Sequence, residues 1–338
     1  MGSLGSNIIS SETIGKVITC KAAVAYAAGQ PLVVEEIRVD PPQKMEVRIR
    51  SEAQQAFPRI FGHEASGVVE SVGEGVSDLE IGDHVVPIFN GECEKCVYCK
   101  SKKTTNLCEK FRVNPMKSTM ANDGKCRFST KEGKPIFHFL NTSIFTQYTV
   151  VDSACVVKID REASLKNMTL LSCGVLVPSG NTADLEEGST VVVFGLGVVG
   201  LAVVEGARVR GASRIIGVDI NSDKQIRGEA IGITDFINPK DLDMPVHQGW
   251  GLTVLLGVHP SPRLLPLHPM ELFDGRRIVA SVFGDFKGKS QLPQFAYHCT
   301  KGVVKLEEFI THEMPFSKIN DAMQLLLDGK SLRCVLHL

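Results

Sequence analysis

A glycine turn that joins a buried strand to a helix restricts the fold of this chain more than any other feature. Residues 190–194 read Thr-Val-Val-Val-Phe, and Gly195, Gly197 and Gly200 follow at the spacing GxGxxG, before a helix-forming stretch at 201–208. Gly195 permits the tight turn, Gly197 lets a pyrophosphate approach the backbone, and Gly200 lets the helix pack close to the strand. We therefore predict an α/β fold with a parallel sheet that binds a dinucleotide at this helix N-terminus. The alternative is an ordinary strand-turn-helix whose glycines serve packing alone.

An acidic residue at the end of the next strand selects between the two nicotinamide dinucleotides. The apolar segment 214–219 ends in Asp219, which lies 19 residues after Gly200. A carboxylate at this place accepts hydrogen bonds from both hydroxyls of an adenosine ribose and repels a 2′-phosphate. The sequence therefore predicts NAD, rather than NADP, as the coenzyme.

Length and composition indicate a globular protein with two domains. The chain has 338 residues, of which 43% are hydrophobic and 22% charged, and its net charge is -1. Two domains are the natural expectation at this length. Without an excess of positive charge we expect no nucleic acid partner, and no apolar run is long enough to span a bilayer. The N-terminal stretch lacks the basic and apolar parts of a signal peptide, so we expect a cytoplasmic protein without membrane association.

Four of the ten cysteines lie within 16 residues of one another along the chain. Cys93, Cys96, Cys99 and Cys108 interrupt a polar stretch that has few apolar residues to fix its shape. Thiolates at such spacings wrap around one tetrahedral Zn²⁺, and a site closed by four sulfurs serves structure rather than catalysis. Without a signal peptide, cysteines are expected as thiols or metal ligands rather than disulfides. We predict a structural zinc site here, and the alternative is a loop of unpaired thiols.

Several further segments carry a resemblance to one enzyme family. They are, in chain order, Gly62–Gly73, Ile81–Val85, Phe139–Tyr148, Leu171–Gly174 and Gly329–Arg333. Together with the glycine turn and the cysteine cluster, they resemble the zinc-containing medium-chain alcohol dehydrogenases, and among these the plant alcohol-dehydrogenase-like proteins. The resemblance extends over nearly the whole chain.

This resemblance implies a GroES-like β-rich catalytic domain together with a Rossmann domain, a doubly wound parallel sheet. The catalytic domain with the structural zinc loop would occupy residues 1–175. The Rossmann domain that binds NAD would occupy residues 176–300, shortened in its second half. Residues 301–338 would return to the catalytic domain. Residues 277–283 resemble an edge strand of the family that pairs across a homodimer.

The resemblance also implies a catalytic zinc. His63 and Cys173 would ligate it, with Glu64 beside the metal. Zinc in such a site acts as a Lewis acid on an alcohol oxygen, so that hydride can pass to the nicotinamide. For the coenzyme, Lys224 would join Asp219 at the adenosine ribose, and Arg333, in the C-terminal turn, would contact the pyrophosphate next to the glycine turn of Gly195, Gly197 and Gly200.

The chain departs from the family pattern where the first catalytic zinc ligand is expected. The strand at 46–50 runs straight into residues 51–59, and neither stretch contains a cysteine. In the family, a Cys-x-Ser/Thr-x-x-His segment there supplies a thiolate and starts the proton relay. A catalytic zinc site needs three protein ligands. His63, Glu64 and Cys173 make three only if the carboxylate binds the metal directly.

Two further departures lie on the coenzyme side. Residues 175–181 replace a Gly- and Thr-rich segment beside the nicotinamide, and Pro178 would interrupt a helix there. After Asn238, prolines and glycines leave too little room for a helical crossover before a strand at 253–258. Clean gaps between well-matched blocks favour the loss of whole segments, by exon loss, splicing or a faulty gene model. The first half of the sheet is complete, with strands expected at 190–194, 214–219 and 234–237 and helices at 198–210 and 222–231.

Three functions fit these residues. The first is an NAD-dependent zinc alcohol dehydrogenase that acts on small-molecule alcohols and their aldehydes or ketones. The second is a reductase of specialised metabolism without catalytic zinc, and the third is an inactive relative that keeps the structural zinc. A glutathione-dependent formaldehyde dehydrogenase is a weaker alternative, resting on Arg112 as the contact for an anionic substrate. Because the thiolate and the relay are missing, we expect a poor alcohol dehydrogenase.

Overall fold

Among the residues that the structure describes, two antiparallel five-stranded sheets, a three-stranded parallel sheet and two parallel strand pairs form the framework. The structure is a computed structural model that describes residues 13–27, 29–50, 58–101, 106–114, 118–175, 184–243, 251–256, 269–273 and 275–338. The strands of the first two sheets are β1 (Ile18–Ala25), β2 (Val33–Val39), β3 (Glu46–Arg50), β4 (Arg59–Ile60), β5 (Gly67–Val72), β6 (His84–Pro87), β7 (Phe128–Ser129), β8 (Pro135–Ile136), β9 (Tyr148–Asp152) and β10 (Val156–Lys158).

The two antiparallel sheets have the strand orders β4-β1-β2-β7-β8 and β10-β6-β5-β3-β9. In β1, buried and exposed residues alternate up to Lys21, and every residue from Ala22 onward is buried. β1 pairs with β2 along most of its length and with β4 only at its end, where Val24 lies opposite Ile60. Burial of one sheet face gives alternation, whereas burial of both faces gives a continuous apolar run.

The remaining elements include the parallel sheet and the α-helices of the described residues. The strands are β11 (Thr190–Phe194), β12 (Arg214–Val218), β13 (Asp235–Ile237), β14 (Gly251–Leu255), β15 (Arg276–Ala280), β16 (Ile310–Pro315) and β17 (Arg333–His337). The helices are α1 (Val97–Lys100), α2 (Leu165–Met168), α3 (Val198–Val209), α4 (Lys224–Ile231), α5 (Gly288–Thr300) and α6 (Ile319–Leu327). Within the described residues, none of these helices has both the length and the hydrophobicity needed to cross a bilayer.

The first half of the predicted parallel sheet is confirmed. β11, β12 and β13 lie side by side in that order, joined by α3 and α4. The observed bounds differ from the predicted ones by no more than two residues.

The second half of the sheet differs from the first. β14 and β15 form a separate parallel pair, and among the described residues no ladder joins them to β11. The strand predicted at 253–258 begins two residues earlier, because Gly251 already pairs with Arg276. Residues 257 and 258 lie outside the described part.

Three apolar cores lie within the described residues, and two of them hold the layers together. One packs α3 and β11 against residues near the start of α5 and against the segment that follows β6, with Leu201, Phe283 and Ile88 among its members. The other lies inside the first antiparallel sheet and includes Phe316 and Leu336 from the end of the chain. The last residues of the chain therefore return to the first sheet.

A buried ion network fixes the region between β3 and β7. Arg127 donates two hydrogen bonds to Glu46, at 2.8 and 2.6 Å, and one to Asp123 at 2.9 Å. The backbone N–H of Arg127 donates to Nε2 of His138 at 3.0 Å. Burial, reinforced by the positive charge of Arg127, lowers the pKa of His138 to about 3. The imidazole is therefore neutral in the folded protein.

The first prediction concerns acid stability. An unfolded His138 takes up a proton below about pH 6.5, whereas the folded one does so only near pH 3. The contribution of His138 to the free energy of unfolding is therefore fully present above about pH 6.5. The free energy of unfolding falls as the pH drops through this window, by about 1.4 kcal/mol per pH unit for one proton. Urea titrations between pH 4 and 7 measure the slope. His138→Gln keeps a hydrogen-bond acceptor but does not titrate, so it should reduce the slope of the free energy of unfolding against pH by the equivalent of one proton. An unchanged slope would contradict the assignment.

Candidate functional site

The four clustered cysteines meet in space. The sulfur atoms of Cys93, Cys96, Cys99 and Cys108 all lie within 4.8 Å of one another, and the Sγ atoms of Cys93 and Cys99 are 4.0 Å apart. Zn–S bonds of about 2.3 Å in a tetrahedron place the sulfurs about 3.8 Å apart. The donor set and the spacing therefore fit one zinc ion with little movement of the chain.

Backbone N–H groups prepare the sulfurs of this loop for a metal. The N–H of Cys96 points at Sγ of Cys93, and the N–H of Cys99 points at Sγ of Cys96, each at 3.4 Å. Burial alone would raise the pKa of Cys96, but the N–H groups of Glu109 and Cys99 lower it to about 6. Burial raises the pKa of Cys108. Metal binding must therefore displace protons from part of this cluster.

The glycine turn has the geometry that a dinucleotide requires. Gly195 has a φ of +91°, which favours glycine. A Cβ atom at Gly200 would lie 1.8 Å from the carbonyl oxygen of Gly195, so the close approach here is to the turn itself as well as to the strand. A Cβ atom at Gly197 would meet nothing within 4 Å. The space above Gly197, at the N-cap of α3, is open to an anionic ligand.

Asp219 lies directly after β12 and is almost fully buried. Its Oδ2 accepts from the backbone N–H of Leu196 at 2.7 Å and from Nζ of Lys224 at 2.9 Å, and its Oδ1 accepts from the N–H of Asn221 at 2.9 Å. Burial would raise the pKa of Asp219, but Lys224 and the two N–H groups hold it below its usual range. The carboxylate thus binds the backbone of the glycine turn, a role that its position in the sequence did not indicate.

The three residues predicted at the catalytic metal also come together. One ligand atom each of His63, Glu64 and Cys173 lies within 4.8 Å of the other two. The ring of His63 packs edge-on against Phe89, with centroids 5.5 Å apart. Burial lowers the pKa of His63, which keeps the imidazole neutral and able to bind a metal. Burial, together with the charge of Glu64, raises the pKa of Cys173, so its sulfur is a thiol until a metal displaces the proton.

Arg333 binds the carboxylate of this cluster. Its Nε donates to Oε2 of Glu64 at 2.5 Å and its Nη2 donates to Oε1 at 2.8 Å, while the N–H of Gly174 also donates to Oε1 at 3.1 Å. Burial would raise the pKa of Glu64, but the charge of Arg333 lowers it. Arg333 was predicted to contact a coenzyme pyrophosphate. In this structure its guanidinium lies on Glu64, and the pyrophosphate contact stays a prediction.

A cavity of about 310 Å³ opens beside this cluster. His63 and Glu64 reach its wall, and apolar side chains such as Phe61, Phe139 and Leu326 form much of the rest.

Two of the predicted departures from the family pattern fall on residues outside the described part of the chain. Residues 51–57 and all but the first residue of 175–181 lie outside the described residues.

Comparison with known proteins identifies the family. The family model "Alcohol dehydrogenase GroES-like domain" matches residues 43–161. Over 97% of its length the chain is 57% identical to "Alcohol dehydrogenase-like 3" of Arabidopsis thaliana, of which the match covers 98%. The chain belongs to the alcohol dehydrogenase family. It is also 46% identical to "Alcohol dehydrogenase 1" of Petunia hybrida, over 97% of the chain and 99% of that relative.

Solved structures of the family share the fold. An alcohol dehydrogenase zinc-binding domain protein from Burkholderia ambifaria matches with a TM-score of 0.86 at 26% identity, covering 96% of this chain and 100% of that one. Benzyl alcohol dehydrogenase from Acinetobacter calcoaceticus matches with a TM-score of 0.80 at 23% identity, covering 94% and 99%. The predicted fold class, a GroES-like domain with a Rossmann domain, is confirmed.

The family comparison also shows that this chain is short. Its alignment with the Arabidopsis relative spans 388 positions, whereas the chain has 338 residues, so at least 50 positions have no residue here. Because the match covers both chains almost from end to end, most of these gaps are internal. Internal loss of sequence is what the interrupted motifs predict.

The second prediction tests the cysteine cluster. Cys96→Ser removes one of four sulfurs that meet within 4.8 Å, and we expect this variant to lose about one zinc per chain. Elemental analysis of purified protein measures the metal. Cys126→Ser is the matched control, because Cys126 is a half-buried thiol outside the cluster. Equal zinc content in wild type and Cys96→Ser would count against the site.

Proposed function

We propose that this member of the alcohol dehydrogenase family transfers hydride between an alcohol and NAD at the site of His63, Glu64 and Cys173. The observation that carries the proposal is the convergence of these three ligand atoms within 4.8 Å, from two segments more than 100 residues apart in the sequence. An imidazole, a carboxylate and a thiol form a donor set that suits zinc. When bound, zinc would polarise the oxygen of an alcohol or aldehyde.

The residues around this site divide the remaining work. His63 is neutral and held by Phe89, so its nitrogen is oriented before a metal arrives. Glu64 carries a negative charge that Arg333 balances, and its carboxylate lies within 4.8 Å of the ligand atoms of His63 and Cys173. The wall of the adjoining cavity is largely apolar, which favours a neutral organic alcohol over a charged substrate.

The coenzyme proposal rests on the glycine turn and Asp219. The open space above Gly197 suits a pyrophosphate, and the buried carboxylate suits the hydroxyls of a ribose. Phe194 directly precedes the glycine turn and Ile220 directly follows this acid; both side chains are exposed and offer a surface for a flat base. Lys224, already within 2.9 Å of Asp219, would hold the ribose oxygens.

The domain limits, the oligomeric state and the location are further proposals. The residue limits 1–175, 176–300 and 301–338 for the catalytic domain, the Rossmann domain and the C-terminal return are supported by the packing of Phe316 against the first sheet. A homodimer is supported by the exposed Val279 and Val282 at the end of β15. We propose a cytoplasmic location from the sequence alone.

One observation favours the second candidate, a reductase without catalytic zinc. Both oxygens of Glu64 already accept hydrogen bonds, from Arg333 and Gly174. A metal must compete with the guanidinium for this carboxylate. Zinc analysis separates the candidates: two zinc ions per chain favour the alcohol dehydrogenase, and one zinc with NAD-linked turnover favours the reductase. One zinc without turnover indicates an inactive relative.

The third prediction concerns coenzyme choice. We expect NAD to bind more tightly than NADP, because a 2′-phosphate would meet the buried charge of Asp219. Fluorescence titration with both coenzymes is the measurement. Asp219→Ser should bring the dissociation constants of NAD and NADP closer together. Asp235 is an acid of the same sheet that pairs with Arg214, so Asp235→Asn should leave the ratio of the two constants unchanged. Tighter binding of NADP to the wild type would overturn the assignment.

The fourth prediction concerns the rate. We expect slow oxidation of alcohols, because residues 46–59 contain no cysteine and no histidine to supply a zinc thiolate and a proton relay. Loss of acid-base help alone typically costs about 10²–10⁴-fold. Steady-state oxidation of primary, allylic and benzylic alcohols with NAD measures it. Turnover near the enzyme median of about 10 per second on any of them would refute the expectation.

A further inference from the structure

The loop of four cysteines is fastened to a distant segment that leads into α5. Nζ of Lys287 donates to the carbonyl oxygens of Cys99 and Ser101, each at 2.7 Å. These carbonyls belong to the end of α1, the short helix that carries Cys99. Lys287 is the N-cap residue of α5 and stands 188 positions after Cys99.

Two further side chains join the same two parts. Nδ2 of Asn106, a buried residue between the last two cysteines, donates to the carbonyl oxygens of Val282 and Phe286 at 2.7 and 3.2 Å. The buried carboxylate of Glu92 accepts from the N–H of Ser290 at 2.7 Å. The N-cap of α5 makes no side-chain capping bond of its own, so Glu92 supplies an acceptor that the first turn of the helix lacks.

The position of Lys287 is significant for the charge of a metal centre. Four thiolates around Zn²⁺ carry a net charge of −2, which is costly in a partly buried site without nearby positive charge. The Lys287 ammonium is half-buried and bonded to the backbone of a ligand residue, so it both orients that residue and offsets the charge. Residues that hydrogen-bond to the ligands of a metal, without binding the metal themselves, typically contribute about 10–100-fold to metal affinity.

We propose that Lys287 is a positioning residue for the four-cysteine zinc site and that it couples retention of this zinc to the order of α5. The inference rests on the proposed structural zinc and goes beyond it. Lys287, at the start of α5, binds the backbone of the cysteine loop. Glu92, next to that loop in the sequence, binds the backbone of the first turn of α5. Movement of the loop after metal loss therefore frees the first turn of α5, and removal of Lys287 frees the loop.

The experiment measures zinc release from the purified holoprotein into a chromophoric chelator. The Cys96→Ser variant identifies which phase of release belongs to the four cysteines. We expect Lys287→Met to release that zinc about 10–100-fold faster than the wild type, and Lys287→Arg, which keeps a cationic donor, to restore most of the difference. Lys289→Met is the matched control, because Lys289 lies on the same turn but binds Ser153 and Asp78. Its release rate should equal that of the wild type.

Amide hydrogen exchange over residues 288–300 tests the coupling to α5. We expect faster exchange in this helix after chelation of the wild type, and already in zinc-loaded Lys287→Met. If Lys287→Met does not fold, Glu92→Ala takes its place, because it removes the acceptor of the Ser290 N–H, with accelerated release and exchange again expected. Equal release from wild type and variant, or equal acceleration by Lys289→Met, would overturn the inference. Wild-type protein without zinc at the cysteines would overturn the metal site as well.

Discussion

The carboxylate of Glu64 is the point on which the candidate active site depends. It accepts from Arg333, which is 269 positions away in the sequence, and from the N–H of Gly174. These bonds hold the loop before β5, the turn after α2 and the last strand of the chain against one another. His63 and Cys173 sit on two of these three segments. An ion pair within the protein therefore contributes to their convergence.

The charges at this site explain why a metal there would be held less firmly than one with a second thiolate. Glu64 and Arg333 cancel each other. Zn²⁺ with the single thiolate of Cys173 would leave a net charge of +1 in a buried place, whereas a second thiolate would bring the total to zero. An uncompensated buried charge is unfavourable. If Glu64 moved from Arg333 to the metal, the guanidinium would become the unpaired buried charge.

What the sequence predicted well depends on local spacing. The glycine turn, Asp219 and the four cysteines are each defined within about 25 residues of chain, and chemistry at that range follows from residue type and separation. The convergence of His63 with Cys173 needed the family resemblance. The contacts of Arg333 with Glu64 and of Lys287 with Cys99 had no sequence signal, because each joins segments more than 180 residues apart through side chains that are common on surfaces.

The parallel sheet divides the proposed coenzyme site into two unequal halves. β11, β12 and β13 are joined in one ladder, and the buried Asp219 is bonded to Leu196 in the glycine turn, so the adenosine half has a rigid support. Among the described residues, β14 and β15 form their own pair, without a ladder to β11. A site built in this way can retain affinity for the adenosine and pyrophosphate while the nicotinamide is poorly positioned. Since hydride transfer requires close alignment of the reacting atoms, coenzyme binding and turnover should be separable in this protein.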